Sequence, residues 1–310
     1  MKALVIPPYL REGDLISIVT PASHIEQEAV IRAVEMLEES GFRVTLGEHV
    51  FSRSGPFAGT DDERLHDIQM ATDDPMVKAV LCSRGGYGMS RIVDRIDFSG
   101  LRKHPKWYAG YSDITSLHLW LNTVCGIASL HAEMPLNYSN PDYLPLCYET
   151  MIMALKGEAE PVRWRAVHDS SFTVTGPVTG GNISLIYSLN GTVAQPDTEG
   201  VILFIEEIGE KFYHLDRMLT AMRMTGMLKN LSALVVGGME EITEGEHVFN
   251  QTVEEVVMNV AGGYGYPVLF NFPAGHIGDN RAIYFGRAAQ DKPVGKGGCP
   301  ELALICRLLP

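Results

Sequence analysis

Residues 106–121 read KWYAGYSDITSLHLWL, an apolar run followed by a glycine, a polar corner and a helical pattern. The run around Tyr108 predicts a strand, and the residues after Asp113 predict a helix because their apolar positions recur at helical spacing. Ser112 lies at the corner between them. A serine there is either an N-cap, whose oxygen accepts the free amide hydrogens of the first turn, or a nucleophile presented on a tight turn. These residues alone leave both interpretations open.

The same alternation of strand and helix occurs on the amino-terminal side of this corner. Apolar runs predict strands at 14–19, 43–46 and 77–83, and helical periodicity predicts helices at 25–41 and 60–74. Strands that alternate with helices pair in parallel, which indicates an α/β protein.

The composition changes near residue 157, where turn residues mix with short β-like runs. We predict an N-terminal domain over residues 1–157, a linker over 158–178 and a second α/β domain over 179–310. The last strand predicted in the second domain spans 267–276.

Charge and composition exclude several classes of protein. The chain has 310 residues and a net charge of −13, which argues against general binding of nucleic acid or of an anionic membrane surface. It contains no run of about 18 apolar residues and no convincing signal peptide. The five cysteines are scattered without metal-ligand spacing, so we expect a reduced cytoplasmic protein without a metal or other cofactor.

A glycine-rich loop, SRGGYG at 83–88, follows the strand predicted at 77–83 and precedes a helix predicted at 89–96. It matches neither a dinucleotide fingerprint nor a P-loop. It is either a tight turn or a site where open amides bind an anion or oxyanion. Because parallel strands end at the same edge of a sheet, this loop and Ser112 should lie close together.

A serine nucleophile needs a base, and the base needs an orienting group. Among ten histidines, His276 is placed in a glycine-rich turn after an apolar strand, and His131 follows a strand at its carboxyl end. Either one is also compatible with an ordinary structural role. Glu206 and Glu207 end a buried strand at 201–207. They mark the point where the strand meets water, or else alternation directs one of them into a site.

Taken together, the sequence blocks resemble the LD-carboxypeptidase family of serine peptidases, which includes the murein tetrapeptide carboxypeptidases and the related microcin C self-immunity proteins. The matching blocks occur in the family's order and are VTPAS (19–23), FAGTDDERLHDIQMATDDPMVKAVLCSRGGYG (57–88), YAGYSDITSLHL (108–119), LHAEMP (130–135), TGGNISLIYSLNGT (179–192), LFIEEIGEKFYHLDRML (203–219) and FPAGHIGDN (272–280).

The resemblance implies a flavodoxin-like or Rossmann-like N-terminal domain with a parallel sheet, a smaller C-terminal α/β domain and a homodimer. It implies Ser112 as nucleophile, His276 as general base and Glu206 as the acid that orients His276. Glu207 replaces the family's more usual Asp, and we expect it to meet only solvent or a surface partner. The amides of Gly86 and Asp113 match the oxyanion hole.

The expected activity is removal of the terminal D-Ala from a muropeptide tetrapeptide during peptidoglycan recycling. Arg84, Tyr87 and His131 are candidate substrate-binding residues, and Arg84 either grips the terminal carboxylate or forms a structural salt bridge. Two alternatives are a microcin C-type immunity hydrolase that cleaves a peptidyl or aminoacyl nucleotide amide, and a non-catalytic sugar- or nucleotide-binding protein.

Overall fold

The computed structural model describes residues 4–140, 143–165, 174–246, 248–286, 288–294 and 301–305. The helices and strands of the first half are β1 (Leu15–Val19), α1 (Gln27–Glu39), β2 (Arg43–Leu46), α2 (Asp61–Asp73), β3 (Val77–Cys82), β4 (Trp107–Gly110), α3 (Thr115–Trp120), β5 (Ser129–His131) and α4 (Pro145–Lys156). Those of the second half are β6 (Val162–Arg165), β7 (Thr175–Asn182), α5 (Ile183–Ser188), β8 (Ile202–Ile208), α6 (Phe212–Met224), β9 (Ala233–Glu240), α7 (Val253–Ala261), β10 (Val268–Leu269), β11 (Ile283–Phe285), β12 (Ala288–Val294) and β13 (Glu301–Ile305).

The first sheet has six strands in the order β11-β5-β4-β3-β1-β2. Strands β1 to β5 are parallel and follow the flavodoxin-like order 2-1-3-4-5, which confirms the predicted fold class. The strand order reverses between β1 and β3. The loops that leave these two strands therefore border the crevice where such sheets bind ligands.

The second sheet combines a parallel and an antiparallel part. Strands β10, β9, β8 and β7 are parallel neighbours, and β12, β13 and β6 continue the sheet in antiparallel pairs. The chain is thus built from two α/β domains, as the sequence predicted. Among the described residues, no helix is long and apolar enough to cross a membrane.

Strand β11 belongs to the second half of the chain but pairs antiparallel with β5 in the first sheet. Its side chains alternate between two cores, as strand geometry requires. Ile283 and Phe285 pack with Phe204 of β8, and Tyr284 packs with Trp107 of β4. The segment between β10 and β11 is therefore held by one sheet at each end.

Helix α2 begins as its sequence predicts. Thr60 accepts a hydrogen bond from the amide of Glu63, and the Glu63 carboxylate accepts one from the amide of Thr60. This capping box satisfies two amides that have no partner inside the helix. The acidic residues of the first turn also interact favourably with the helix dipole.

Two expectations differ from the structure. Residues 89–96 form two short 3-10 helices instead of one α-helix, because Ile92 has φ −126° and ψ −15°, outside the helical region. The strand predicted at 267–276 is limited to β10, since the chain then leaves the sheet as a loop. The predicted linker, 158–178, contains β6 and the start of β7. The domain boundaries stay a prediction.

Candidate active site

Three predicted residues from distant parts of the chain form a line of hydrogen bonds. His276 Nε2 lies 3.0 Å from Ser112 Oγ, and His276 Nδ1 lies 2.6 Å from Glu206 Oε2. Ser112 follows β4, Glu206 lies near the carboxyl end of β8, and His276 lies between β10 and β11. Glu206 is fully buried and the His276 side chain is 16% exposed. The order of groups is hydroxyl, imidazole and carboxylate, with hydrogen-bond distances throughout.

The backbone at Ser112 lies in the left-handed region, with φ 64°. This conformation is uncommon for a residue with a Cβ, and such strain concentrates at functional sites. Ser112 begins a 3-10 helix that leads into α3, but neither helix start has a side-chain cap hydrogen bond. The serine thus starts a helix through its backbone while its hydroxyl faces His276.

The glycine-rich loop closes against this serine. A Cβ on Gly85 would lie 3.0 Å from Ser112 Oγ and 3.2 Å from the amide nitrogen of Asp113, so only glycine permits this approach. The buried Asp113 carboxylate accepts a hydrogen bond of 2.7 Å from the amide of Met89, which ties the serine corner to the loop. Burial raises the pKa of Asp113 to about 6. Gly86 has φ 94° and continues the turn.

Arg64, which the sequence reasoning did not single out, holds the glycine-rich loop through hydrogen bonds to backbone carbonyls. The side chain is 1% exposed, and its Nη1 donates to the carbonyls of Pro21 and Gly88 at 2.6 and 2.9 Å. These carbonyls belong to the loops after β1 and β3. An arginine one turn into a capped acidic helix resembles a surface residue in sequence, and only the tertiary structure shows its burial.

The electrostatic environment of His276 has two opposing parts. Burial lowers the pKa of the imidazole, but the hydrogen bond to Glu206 and the charges of Glu206, Glu207 and Glu133 raise it more. The net direction is upward from the ordinary value of 6.5. The surroundings therefore stabilise an imidazolium at this position.

The expectation that Glu207 meets solvent is wrong. Its side chain is 2% exposed and accepts hydrogen bonds from Asn182 Nδ2, the Ser184 amide and the Ile208 amide, at 2.8, 2.8 and 2.9 Å. The two glutamates have different partners, since Glu206 bonds to His276 whereas Glu207 accepts from Asn182 and Ser184. Each is buried because the ends of β7 and β8 are covered by α5 and by the His276 loop.

Three linked polar side chains, those of Tyr111, Asn137 and Glu133, lie on one side of the imidazole. The Tyr111 ring is 5.0 Å from the His276 ring, and its hydroxyl accepts a hydrogen bond from Asn137, which also donates to Glu133. Burial raises the pKa of Glu133 to about 7. The sequence reasoning did not identify Glu133 or Asn137. A Glu in LHAEMP, directly after a strand end, was the available signal.

The three candidate substrate-binding residues differ in position. His131 is fully buried among aromatic rings and its pKa is lowered well below 6.5 by burial, so its side chain packs beneath the site. Arg84 is half-buried and donates to the carbonyl of His24 at 2.7 Å. Within the described part of the chain no carboxylate pairs with Arg84, so the salt bridge considered from sequence is not found there. Tyr87 is 51% exposed and contacts Phe57.

The arrangement suits acyl transfer by a serine. A hydroxyl lies at hydrogen-bond distance from an imidazole, a buried carboxylate bonds to the other ring nitrogen, and a glycine-rich turn lies against the serine, which are the groups that such a reaction requires. In the ranges that the structure describes, no three His, Cys, Asp or Glu side chains are grouped so that they could hold a metal ion.

Comparison with known proteins identifies the family. Residues 16–132 match the LD-carboxypeptidase N-terminal domain, and residues 175–290 match the LD-carboxypeptidase C-terminal domain. A Bacillus subtilis protein named "Probable murein peptide carboxypeptidase" is 34% identical over 91% of this chain and 90% of its own length. The muramoyltetrapeptide carboxypeptidase of Oxalobacter formigenes has a TM-score of 0.83 at 28% identity, covering 94% of this chain and 98% of that one.

The microcin C7 self-immunity protein MccF, in complex with aspartyl sulfamoyl adenosine, has a TM-score of 0.84 at 19% identity and covers 99% of this chain and 100% of that one. This second likeness shows the shared fold alone. The two domain matches together extend over more than two thirds of the chain. The chain belongs to the LD-carboxypeptidase family.

Proposed function

We propose that this protein is a serine carboxypeptidase that removes the terminal D-Ala from muropeptide tetrapeptides during peptidoglycan recycling. The observation that carries the proposal is the hydrogen-bonded line from Ser112 through His276 to Glu206. A protein that only binds a ligand has no need of all three groups in this order. The names of the two carboxypeptidase relatives support a murein peptide as the substrate.

In the proposed reaction, Ser112 Oγ attacks the carbonyl carbon of the peptide bond while His276 Nε2 accepts the hydroxyl proton. The carbonyl oxygen becomes an oxyanion, to which the amides of Gly86 and Asp113 donate hydrogen bonds. The C–N bond then breaks, and His276 returns the proton to the amine of D-Ala. Water then attacks the acyl-enzyme while His276 accepts its proton, and His276 returns that proton to Ser112 Oγ as the ester bond breaks. Glu206 stabilises the imidazolium in both halves of the reaction.

An exopeptidase also recognises the terminal carboxylate of its substrate. We propose Arg84 for this role, because a guanidinium binds a carboxylate with two parallel hydrogen bonds. Arg84 precedes Gly85, whose backbone contacts Ser112. Its only described hydrogen bond, to the carbonyl of His24, leaves further N–H donors for a ligand.

The resemblance implies a homodimer and the scattered cysteines predict a reduced cytoplasmic protein, and we include both in the proposal. Light scattering after size-exclusion chromatography tests the dimer. Fractionation of cells that express the full chain tests the compartment, and recovery in the membrane or medium fraction contradicts it.

One observation favours the immunity-type alternative. Tyr87 presents an exposed aromatic ring at the glycine-rich loop, next to Phe57, and a nucleotide base could stack on such a surface. Under this alternative the same serine chemistry cleaves an amide that joins an amino acid or peptide to a modified nucleotide.

Mass spectrometry distinguishes the candidates. The protein is incubated with a muramoyl tetrapeptide, with the same peptide ending in L-Ala, and with an aminoacyl nucleotide amide. Loss of one alanine from the D-Ala peptide alone supports the carboxypeptidase. Cleavage of the nucleotide amide alone supports the alternative. Three unchanged substrates contradict both.

A further inference from the structure

A chain of buried hydrogen bonds joins the serine corner to β8, the strand that carries Glu206. The Thr115 hydroxyl accepts a hydrogen bond of 3.0 Å from the amide of Asn182. Asn182 Nδ2 then donates to Glu207 Oε1 at 2.8 Å. Thr115 is the first residue of α3, three positions after Ser112, and Glu207 directly follows Glu206. All three members are at most 3% exposed.

The elements that carry this chain approach each other very closely. Gly181 has φ 126°, and a Cβ at this position would overlap the Thr115 hydroxyl. In the register of the second sheet, Asn182 of β7 is the partner of Glu206 of β8. The first turn of α3 therefore lies against the ends of the two strands, where a small displacement changes the distance between Ser112 and His276.

We propose that Glu207 is a positioning residue, which through Asn182 and Thr115 fixes helix α3, and hence Ser112, relative to Glu206 and His276. This inference rests on the proposed function, because it assigns Glu207 a part in presenting the serine nucleophile. Glu207 touches neither the nucleophile nor the base.

The hydrogen bonds of Glu207 require a carboxylate. Its two oxygens accept from three N–H donors, those of Asn182, Ser184 and Ile208. A carboxylate has only acceptors, whereas a glutamine amide turns one of them into a donor that faces an N–H group. Burial raises the pKa of Glu207, and the hydrogen bonds from Ile208 and Asn182 oppose that rise. Glu207→Gln thus breaks at least one of these three hydrogen bonds and loosens the end of β8.

Glu207 also acts on His276 through its charge. The charged groups that face the imidazole are Glu206 and Glu207 of β8 and Glu133 beyond β5, and His131 and Tyr111 are the titratable groups packed nearby. The Glu207 charge raises the His276 pKa. Removing that charge lowers the pKa, so the base becomes neutral at a lower pH.

The experiment measures the rate at which a fluorophosphonate labels Ser112 in the full-length protein, as a function of pH. In this reaction the serine oxygen bonds to phosphorus, fluoride leaves, and the proton passes to His276. The readout therefore needs no knowledge of the substrate. We expect Glu207→Gln and Thr115→Val to slow labelling by roughly ten- to a hundredfold, the effect of a small misplacement of reacting groups.

The two variants differ in their pH dependence. The acid limb of the profile is the rise of the labelling rate with pH as His276 loses its proton. Only Glu207→Gln should move this limb to lower pH, because Thr115→Val changes no charge. Glu207→Asp keeps the charge and should leave the limb in place, with labelling within about tenfold of wild type. Glu199→Gln, at the opposite end of β8, is the matched control and should label like wild type. A merely local structural role for Glu207 would slow labelling of Glu207→Gln but leave Thr115→Val at the wild-type rate.

The outcomes separate this inference from the proposed function. A wild-type protein that is not labelled at Ser112 overturns both. A labelled wild type with Glu207→Gln at the same rate and limb, or with Thr115→Val at the wild-type rate, overturns the inference alone. An unmoved limb in a slowed Glu207→Gln variant contradicts the charge effect on His276, and the rate of Thr115→Val then decides the positioning role. If Glu207→Gln does not fold, Thr115→Val decides, since tenfold slower labelling supports the inference and an unchanged rate contradicts it.

Discussion

Ser112 combines a left-handed backbone, with φ 64°, and a hydroxyl 3.0 Å from His276 Nε2. The side chain caps neither helix that follows, so no capping hydrogen bond of the hydroxyl offsets the cost of the strained backbone. The conformation directs Oγ out of the turn and toward the base. This combination is what the proposed role of Ser112 as nucleophile requires, because backbone strain of this kind concentrates at functional sites.

Ser112→Ala should lower turnover of the tetrapeptide by roughly 10⁴-fold or more, because the nucleophile is lost. The melting temperature should change little. Ser116→Ala is the control, since it removes a buried hydroxyl of α3 that has no hydrogen-bond partner among the described residues. Turnover of Ser112→Ala near the wild-type rate would show that another group performs the attack.

Glu206→Gln should lower kcat by roughly 10⁴-fold, because a neutral amide cannot stabilise the imidazolium or hold the imidazole as a carboxylate does. Unfolding in urea checks that the variant is folded. A variant that keeps more than a tenth of the wild-type kcat contradicts the role of Glu206. The comparison with Glu207→Gln is informative, since we expect that neighbour to lose only roughly ten- to a hundredfold.

The pH profile of kcat/KM follows from the charges around His276. The base must be neutral to accept the serine proton, and its pKa is raised above 6.5 by Glu206 and the nearby carboxylates. Activity should therefore rise with pH through an apparent pKa above 6.5. EDTA should leave the profile unchanged. A midpoint below 6.5, or activity that depends on added metal, would contradict this mechanism.

At the scale of the elements, α2 and the glycine-rich loop work together. The helix begins with a capping box, and Arg64 extends from its first turn to the carbonyls of Pro21 and Gly88. These contacts fix the loops after β1 and β3, which border the crevice of the sheet. The helix thus acts as the support on which the proposed oxyanion site rests.

Arg64→Lys should lower kcat by about tenfold, because an ammonium cannot hold two carbonyls with the geometry of a guanidinium. Arg95→Lys is the matched control, since Arg95 pairs with Asp62 on the exposed side of the same helix. Steady-state kinetics on the tetrapeptide measure both. Equal rates for Arg64→Lys and wild type would show that the loop keeps its shape without this contact.

The sequence predicted the elements whose patterns are local. Strand β2 was predicted with its observed bounds, and α1, α2 and β3 lie within their predicted ranges, because apolar periodicity and caps are short-range signals. Strand β11 was not predicted, since three residues show no periodicity and its partner lies about 150 residues away. The two short 3-10 helices after the glycine-rich loop were predicted as one α-helix, because tertiary packing overrides local propensity there.

The candidate site divides in a similar way. Ser112, Glu206 and His276 could be named because each lies at or near the carboxyl end of a predicted strand and because the blocks resemble a family. The burial of Glu207 and His131 could not be foreseen. Alternation tells which face a side chain takes, but not whether another element covers that face. Asn182 and Arg64 were missed because their partners are distant in the sequence, namely side chains of α3 and β8 for Asn182 and carbonyls of two loops for Arg64.

At the scale of the whole molecule, the two sheets are joined by more than the connecting chain. Leu119 of α3 packs with Leu203 and Ile205 of β8, and Phe285 of β11 packs with Phe204 while its strand pairs with β5. Each sheet therefore completes part of the core of the other. We expect the sheets to unfold together.

Phe285→Ala should lower the free energy of unfolding by about 3 kcal/mol, as truncation of a fully buried aromatic residue does. Hydrogen exchange at increasing urea concentrations should show the amides of β3 and β8 losing protection in one event, in both the variant and the wild type. Separate transitions for the two sheets would show that β11 does not couple them.

The position of β11 also bears on how this enzyme could be divided and rebuilt. A fragment that ends at residue 157 carries β5 with an unpaired edge, and the complementary fragment from residue 158 carries the strand that covers this edge. The second fragment also supplies the proposed acid and base, whereas the first supplies the nucleophile. The two pieces, co-expressed as separate chains, should recover activity by complementation, since pairing of β11 with β5 holds the two fragments together. With such a pair, the rate of hydrolysis reports the association of the two fragments.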